Sequence, residues 1–151
     1  MTYRKTFLVI ITLAFAVPFA AAQTAENKPA GSGEVPEYVK ASPAFAEVVF
    51  RKAVVEAELE ELLVRYTEQY PKVIEKRFEM SELDNEQDDL VKIPETEASK
   101  LTLALGKMLV QRAAYATELG VLKLKYDDTH PDVKRAKRKL EIFDKAIKRI
   151  L

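Results

Sequence analysis

Leu59-x-x-Leu62-x-x-x-Tyr66-x-x-x-x-Pro71-x-Val73 recurs as Leu119-x-x-Leu122-x-x-x-Tyr126-x-x-x-x-Pro131-x-Val133, with every position displaced by sixty. The correspondence continues outward: Lys52-Ala53 answers to Arg112-Ala113, Glu58 to Glu118, Met80 to Leu140 and Leu83 to Phe143. One offset held over such a stretch marks an internal repeat, a supersecondary unit used twice. Inside a helix proline removes a hydrogen bond and clashes with the preceding turn, but it fits the first helical position. The motif therefore reads as helix, turn, helix. One helix ends near Thr67 and the next starts at Pro71; another ends near Asp127 and restarts at Pro131. A short connection between apolar-faced helices favours an antiparallel hairpin. A long helix kinked at each proline is the alternative.

The flanks carry the helical period. Phe45, Val48, Lys52, Val55, Leu59, Leu62 and Tyr66 alternate steps of three and four, which is a heptad seam that needs a partner helix. Leu101, Leu105, Met108, Arg112, Tyr115, Leu119, Leu122 and Tyr126 repeat it. After Pro71 the seam is weaker, interrupted by Lys76 and Gln87 and flanked by Glu82, Asp84, Glu86, Asp88 and Asp89, which read as a solvated charged face. The last helix places Val133, Ala136, Leu140, Phe143, Ile147 and Ile150 on one side. Ser42-Pro43 supplies an N-cap and a first-turn proline for the first helix. Pro94-Glu95-Thr96-Glu97 opens the third, with acids in the first turn where the helix dipole favours them. Lys52 and Arg112 share one seam position and read as snorkelling side chains whose methylenes cover the seam.

Composition agrees with an all-α chain: four glycines, no tryptophan, and abundant Ala, Leu, Glu and Lys. The absence of cysteine excludes disulfides, thiol catalysis and thiolate metal sites. At the N-terminus, Arg4-Lys5 precede the apolar run Phe7–Val17 and then Ala20-Ala21-Ala22. This pattern predicts a secretory signal over residues 1–22, cleaved after Ala22, and a periplasmic or secreted protein. The apolar run is shorter than the roughly twenty residues of a membrane span, so no integral span is expected in the mature chain. Residues 23–42, with Pro29, Gly31, Gly33 and Pro36, read as a flexible leader. Residues 43–151 read as the helical domain, in two repeats of about 43–91 and 94–151. Lys plus Arg and Asp plus Glu number 24 each; cleavage would remove two basic residues, leaving 22 − 24 = −2, which points to no nucleic acid.

No motif carries bond-making chemistry. The serines lie in no Gly-x-Ser-x-Gly context. His130 is the only histidine, and beside it Asp127, Asp128 and Asp132 are expected turn and cap residues, so no metal, cofactor or catalytic residue is assigned. The last helix is basic: Lys134, Arg135, Lys137, Arg138 and Lys139 begin a run that fits an anionic polysaccharide or an acidic partner. The competing expectation is that this run lies beside the acidic second helix and balances it.

The unit L-x-x-L-x-x-x-Y-x-x-x-H-P-x-V between heptad seams resembles the periplasmic coiled-coil segment of polysaccharide co-polymerases, the chain-length-determinant and exopolysaccharide-transport proteins. Leu119, Leu122, Tyr126, His130, Pro131 and Val133 match it in full, whereas Tyr70 stands where the first copy would carry histidine. The chain has neither the paired transmembrane helices nor the phosphate-binding loop of those proteins. The resemblance implies a free periplasmic module of helical hairpins beside a polysaccharide or export system. The expected architecture is thus a duplicated helical hairpin, four amphipathic helices closing as an antiparallel coiled coil or a four-helix bundle. The expected role is an interaction or adaptor protein with an envelope partner or with itself. A periplasmic holding chaperone is the alternative, and a small ligand-binding bundle is disfavoured by tight seams.

Overall fold

The computed structural model describes residues 35–151. The expected signal, residues 1–22, and the leader as far as residue 34 lie outside the described residues. Among the described residues the chain is all-helical, with no strand: α1 (Glu37–Lys40), α2 (Pro43–Leu63), α3 (Pro71–Val91), a 3-10 turn (Glu95–Lys100), α4 (Leu103–Lys123) and α5 (Pro131–Lys148).

Local chemistry sets the starts. Ser42 Oγ accepts from Phe45 N–H at 3.2 Å, and Pro43 takes the first position of α2. Thr102 Oγ1 accepts from Leu105 N–H at 3.3 Å and caps α4 in the same way. Such a cap satisfies one of the four orphan donors at a helix start and is worth about 1 kcal/mol. Pro71 and Pro131 head α3 and α5. The boundaries of α2 and α4 are sixty apart at both ends, 43 to 103 and 63 to 123.

Cross-helix pairs give the directions. Arg51 meets Glu79, Lys52 meets Asp84 and Glu58 meets Lys76, so α2 and α3 run antiparallel. Arg112 meets Asp144, Tyr115 meets Phe143 and Glu118 meets Lys139, which makes α4 and α5 antiparallel too. The chain therefore reverses direction between α2 and α3 and again between α4 and α5. Gly106 lies against Ala44, and the Ala44 N–H donates to Leu101 O at 3.2 Å, so α2 and α4 run parallel with their reversing turns at one end. α4 occupies the groove between α2 and α3; α5 packs chiefly on α4.

The core follows this nesting. Val48, Val55, Leu83, Leu90, Leu101 and Leu105 are sealed from solvent, each contributing about 1.5–3 kcal/mol by burial. Ile147 of α5 joins the same cluster. No helix among the described residues is long and apolar enough to cross a membrane.

Four expectations change. Residues 35–42 are not a free leader: Val39 is fully buried, and the Tyr38 hydroxyl donates to Ile93 O at 2.6 Å. Two apolar side chains and one satisfied hydroxyl are enough to dock a segment too short to show a period. The third helix starts at Leu103 rather than at Pro94, whose acids open only the 3-10 turn. Leu101, buried between turn and helix, breaks the helix there, and Thr102 restarts it. The first and third helices end at Leu63 and Lys123, four residues short of Thr67 and Asp127. Lys52 and Arg112 do not merely snorkel; both are centres of ion pairs, described below.

Candidate interaction surfaces

The repeated motif builds two reversing turns. Leu62 O accepts from Tyr66 N–H at 2.9 Å and Leu122 O from Tyr126 N–H at 2.9 Å, which folds each tyrosine back toward the next helix. Tyr66 then stacks on Tyr70 with ring centroids 3.9 Å apart, and Tyr126 stacks on His130 at the same distance. An aromatic residue before the proline thus serves in both copies, whether tyrosine or histidine. Val73 and Val133 are fully buried, Leu59 is nearly so, and Leu62, Leu119 and Leu122 are half-buried. Pro71 and Pro131 are exposed first-turn residues. His130 Nδ1 accepts from Asp132 N–H at 3.2 Å as the cap of α5, and Asp127 Oδ1 accepts from Thr129 N–H at 2.8 Å. The Thr129 hydroxyl, which also donates to Asp127 Oδ1, and the Thr129 N–H hold the Asp127 carboxyl below its ordinary range. Every residue of the motif has a structural task.

Buried charge is where the helix pattern misled. Glu86, expected on a solvated face, is 3% exposed and grips Arg112, whose Nε donates to Oε1 at 2.7 Å and Nη2 to Oε2 at 2.5 Å. Arg112 also reaches Asp89 at 3.1 Å and Asp144 at 3.4 Å. Burial raises the Glu86 carboxyl above its ordinary range against the pull of Arg112, while the fork to Glu86 keeps the guanidinium firmly charged. Glu79, 6% exposed, is the other buried carboxylate; it accepts from Arg51 Nε at 2.8 Å and Lys76 Nζ at 3.0 Å. Lys76 also lies 2.5 Å from Glu58, and that contact lowers the Glu58 carboxyl. Spacing did hold one clue: Glu79 and Glu86 fall seven apart, on one stripe of α3. A cleft of about 410 Å³ beside this cluster is lined by Arg51, Lys76, Glu79, Thr117 and Glu118. Both of its buried or half-buried cations already hold carboxylates, which leaves it a gap in a charged joint.

Several ion pairs recur at the offset of sixty. Lys52 Nζ meets Asp84 at 2.5 Å as Arg112 meets Asp144. Arg77 meets Glu68 at 2.6 Å as Lys137 meets Asp128 at 3.0 Å. Lys40 meets Glu37 as Lys100 meets Glu97.

The basic run does not lie beside acidic α3: α5 packs on α4, and Asp84, Glu86 and Asp89 of α3 are held by Lys52, Arg112 and Lys92. Lys139 pairs with Glu118 at 2.9 Å and lies 5.2 Å over the Tyr115 ring. Lys137 pairs with Asp128, and Arg135 with Asp132 at 3.1 Å. Among the described residues Lys134, Arg138, Lys145 and Lys148 of α5, and Arg149 just after it, make no ion pair, and all five are exposed, with exposed Glu141 on the same helix. Comparisons with protein-family models, with curated proteins and with solved structures found no match to the chain.

Proposed function

We propose that the chain is an exported, non-enzymatic adaptor, a duplicated helical hairpin of coiled-coil type that presents a cationic helix to an acidic partner in the cell envelope. The duplication is supported by helix boundaries, caps, aromatic stacks and ion pairs that recur at one offset. Export is supported by the N-terminal pattern of the sequence, and work beside polysaccharide machinery by the likeness of the motif. A binding role is supported by the engagement of the buried carboxylates and of His130 in ion pairs and caps.

The observation that carries the reading is the outward face of α5. Four cations without ion pairs, Lys134, Arg138, Lys145 and Lys148, stand on α5 with Arg149 just past its end, around a single exposed acid, Glu141. Self-repulsion on such a face has a cost that an acidic partner would relieve. The test places a photo-reactive residue at Lys145 and cross-links in living cells. One dominant envelope partner, lost at high salt, is the expected result. A smear of many outer-membrane clients would turn the reading to a holding chaperone, and cross-links confined to the cytoplasm would overturn export.

A further inference from the structure

The second hairpin has an open groove where the first has a filled one. In the first, α4 inserts between α2 and α3, leading with Gly106, Leu109, Ala113 and Gly120. The residues sixty earlier are Ala46, Val49, Ala53 and Glu60, and all four lie exposed on the outward face of α2. Phe50, beside them, is 66% exposed and answers to half-buried Val110. A helix of this repeat therefore displays an inserting face with nothing to insert into.

The receiving side shows the same imbalance. Val48, Val55, Leu83 and Glu86 are sealed in the first hairpin, whereas Met108, Tyr115, Phe143 and Ala146, their counterparts in the second, are only half-covered. Ile142 on α5 is 64% exposed at the position of Glu82. In a stack of repeats each unit buries its face against the next, and the last unit keeps an unfilled groove.

We propose that α2 of a second copy of this chain docks in the groove between α4 and α5, as α4 docks between α2 and α3, to give a head-to-tail assembly. The proposal rests on the duplicated-hairpin part of the functional reading and not on export or on an envelope partner. Charge complementarity argues for a second copy over an unrelated helix. Within one chain Gly120 meets Phe78, with a Cβ built on the glycine 3.1 Å from the ring. The equivalent meeting between copies is Glu60 with Arg138. Glu75 and Val121 line the same cleft, and their counterparts are Arg135 and Glu61. The Gly120–Phe78 contact is uncharged, whereas at the equivalent place between copies Glu60 and Glu61 of α2 would face Arg138 and Arg135 of α5. The backbone has its counterpart too: Ala44 N–H donates to Leu101 O within the chain, and Ala104 N–H would donate to Ala41 O of the second copy.

Two differences make this joint weaker than the internal one. The counterparts of the buried Arg112–Glu86 fork are Lys52 and Ala146, which form no such pair. Gly106 lies so close to Ala44 that a Cβ would sit 2.8 Å from its Cα, and Ala46 carries that Cβ, so the helices must sit wider. The assembly is reversible for those reasons, and since its two surfaces differ it grows into a ring or an open fibre.

Sedimentation of the full chain across a concentration series tests this. Phe50→Glu spoils the inserting face and keeps the groove; Arg135→Glu with Arg138→Glu spoils the groove and keeps the inserting face. All three positions are exposed, and circular dichroism checks that each variant is folded. The wild type is expected to gain mass steadily with concentration, each variant alone to stay monomeric, and their mixture to stop at dimers of one intact joint. A wild-type chain that stays monomeric up to about 1 mM, the weak end of the affinity scale, overturns the proposal, as does growth unaffected by either variant or a mixture that never pairs. A monomeric result leaves the adaptor reading standing, because that reading is measured by cross-links to other proteins.

Discussion

The α2–α3 pair and the α4–α5 pair share a sequence pattern and differ in what covers them. Lys52 and Arg112 hold the same position and each meets an aspartate across its hairpin, yet Arg112 also grips the buried Glu86. Leu83 is fully buried while Phe143, its equivalent, is half-covered. Gly106 touches the backbone of α2 where Ala46 faces solvent. Burial here is a property of the neighbour that arrives: α4 for the α2–α3 pair and, among the described residues, no further helix for the α4–α5 pair. Equivalent substitutions should therefore have unequal costs, and the ratio measures the neighbour.

The largest difference is expected at the shared basic position. Arg112→Ala leaves Glu86 charged and buried without its fork and should cost about 3–5 kcal/mol in denaturant unfolding, while Lys52→Ala, at a partly exposed pair, should cost about 1 kcal/mol or less. Replacing Arg112 and Glu86 together by leucine should recover most of the loss; failure to recover would show that the fork itself stabilises the fold. Next comes the apolar pair. Leu83→Ala should cost about 2–5 kcal/mol and Phe143→Ala about half as much, although phenylalanine loses more atoms. Equal costs in the monomer would mean that the second groove is already closed.

The glycine position gives a smaller contrast of opposite sign to helix propensity. Gly106→Ala improves propensity by about 1 kcal/mol, yet the new Cβ meets Ala44 backbone at 2.8–2.9 Å. Overpacking should win, with a net loss of about 1–3 kcal/mol. Ala46→Gly should lose only the propensity, about 1 kcal/mol. A stabilised Gly106→Ala variant would show that α2 and α4 can part without cost.

The smallest effect is on acid stability. The hydrogen bond from Lys76 lowers the Glu58 carboxyl, and Lys92 and Arg112 outweigh burial to lower Asp89. Because these folded values lie below the unfolded ones, their contribution is complete above the ordinary carboxylate range, about pH 4, and is lost as pH falls through the folded values. Glu86 acts in the opposite sense, since burial raises its carboxyl and protonation relieves it. Glu58→Gln should flatten the acid limb of the unfolding midpoint against pH, and Glu86→Gln should steepen it. An unchanged limb in Glu58→Gln would separate that carboxylate from acid unfolding.

Much of the fold was legible because it depends on near neighbours in sequence. Ser42-Pro43, Pro71 and Pro131 start helices through a local hydroxyl cap and a fixed φ, with no need of a partner. The misplaced start at Pro94 had its remedy in the repeat, since Ser42 shifted by sixty is Thr102, the cap actually used. Tyr38 and Val39 were illegible, because two apolar residues show no period and their worth lies in where Ile93 and the core stand.

By itself the sequence determined that the chain is helical and that helices start at Pro43, Pro71 and Pro131, because periodicity, caps and prolines act within a few residues. Only the tertiary structure decided that α4 rather than α5 fills the groove beside α3. That choice buried Glu79 and Glu86, placed Arg112 on Glu86 and left the cations of α5 facing outward. The physical reason is that a heptad stripe states that a helix has a partner without stating which one. Four amphipathic helices offer several pairings of similar apolar area, and close packing at Gly106 and the Arg112 fork distinguish among them.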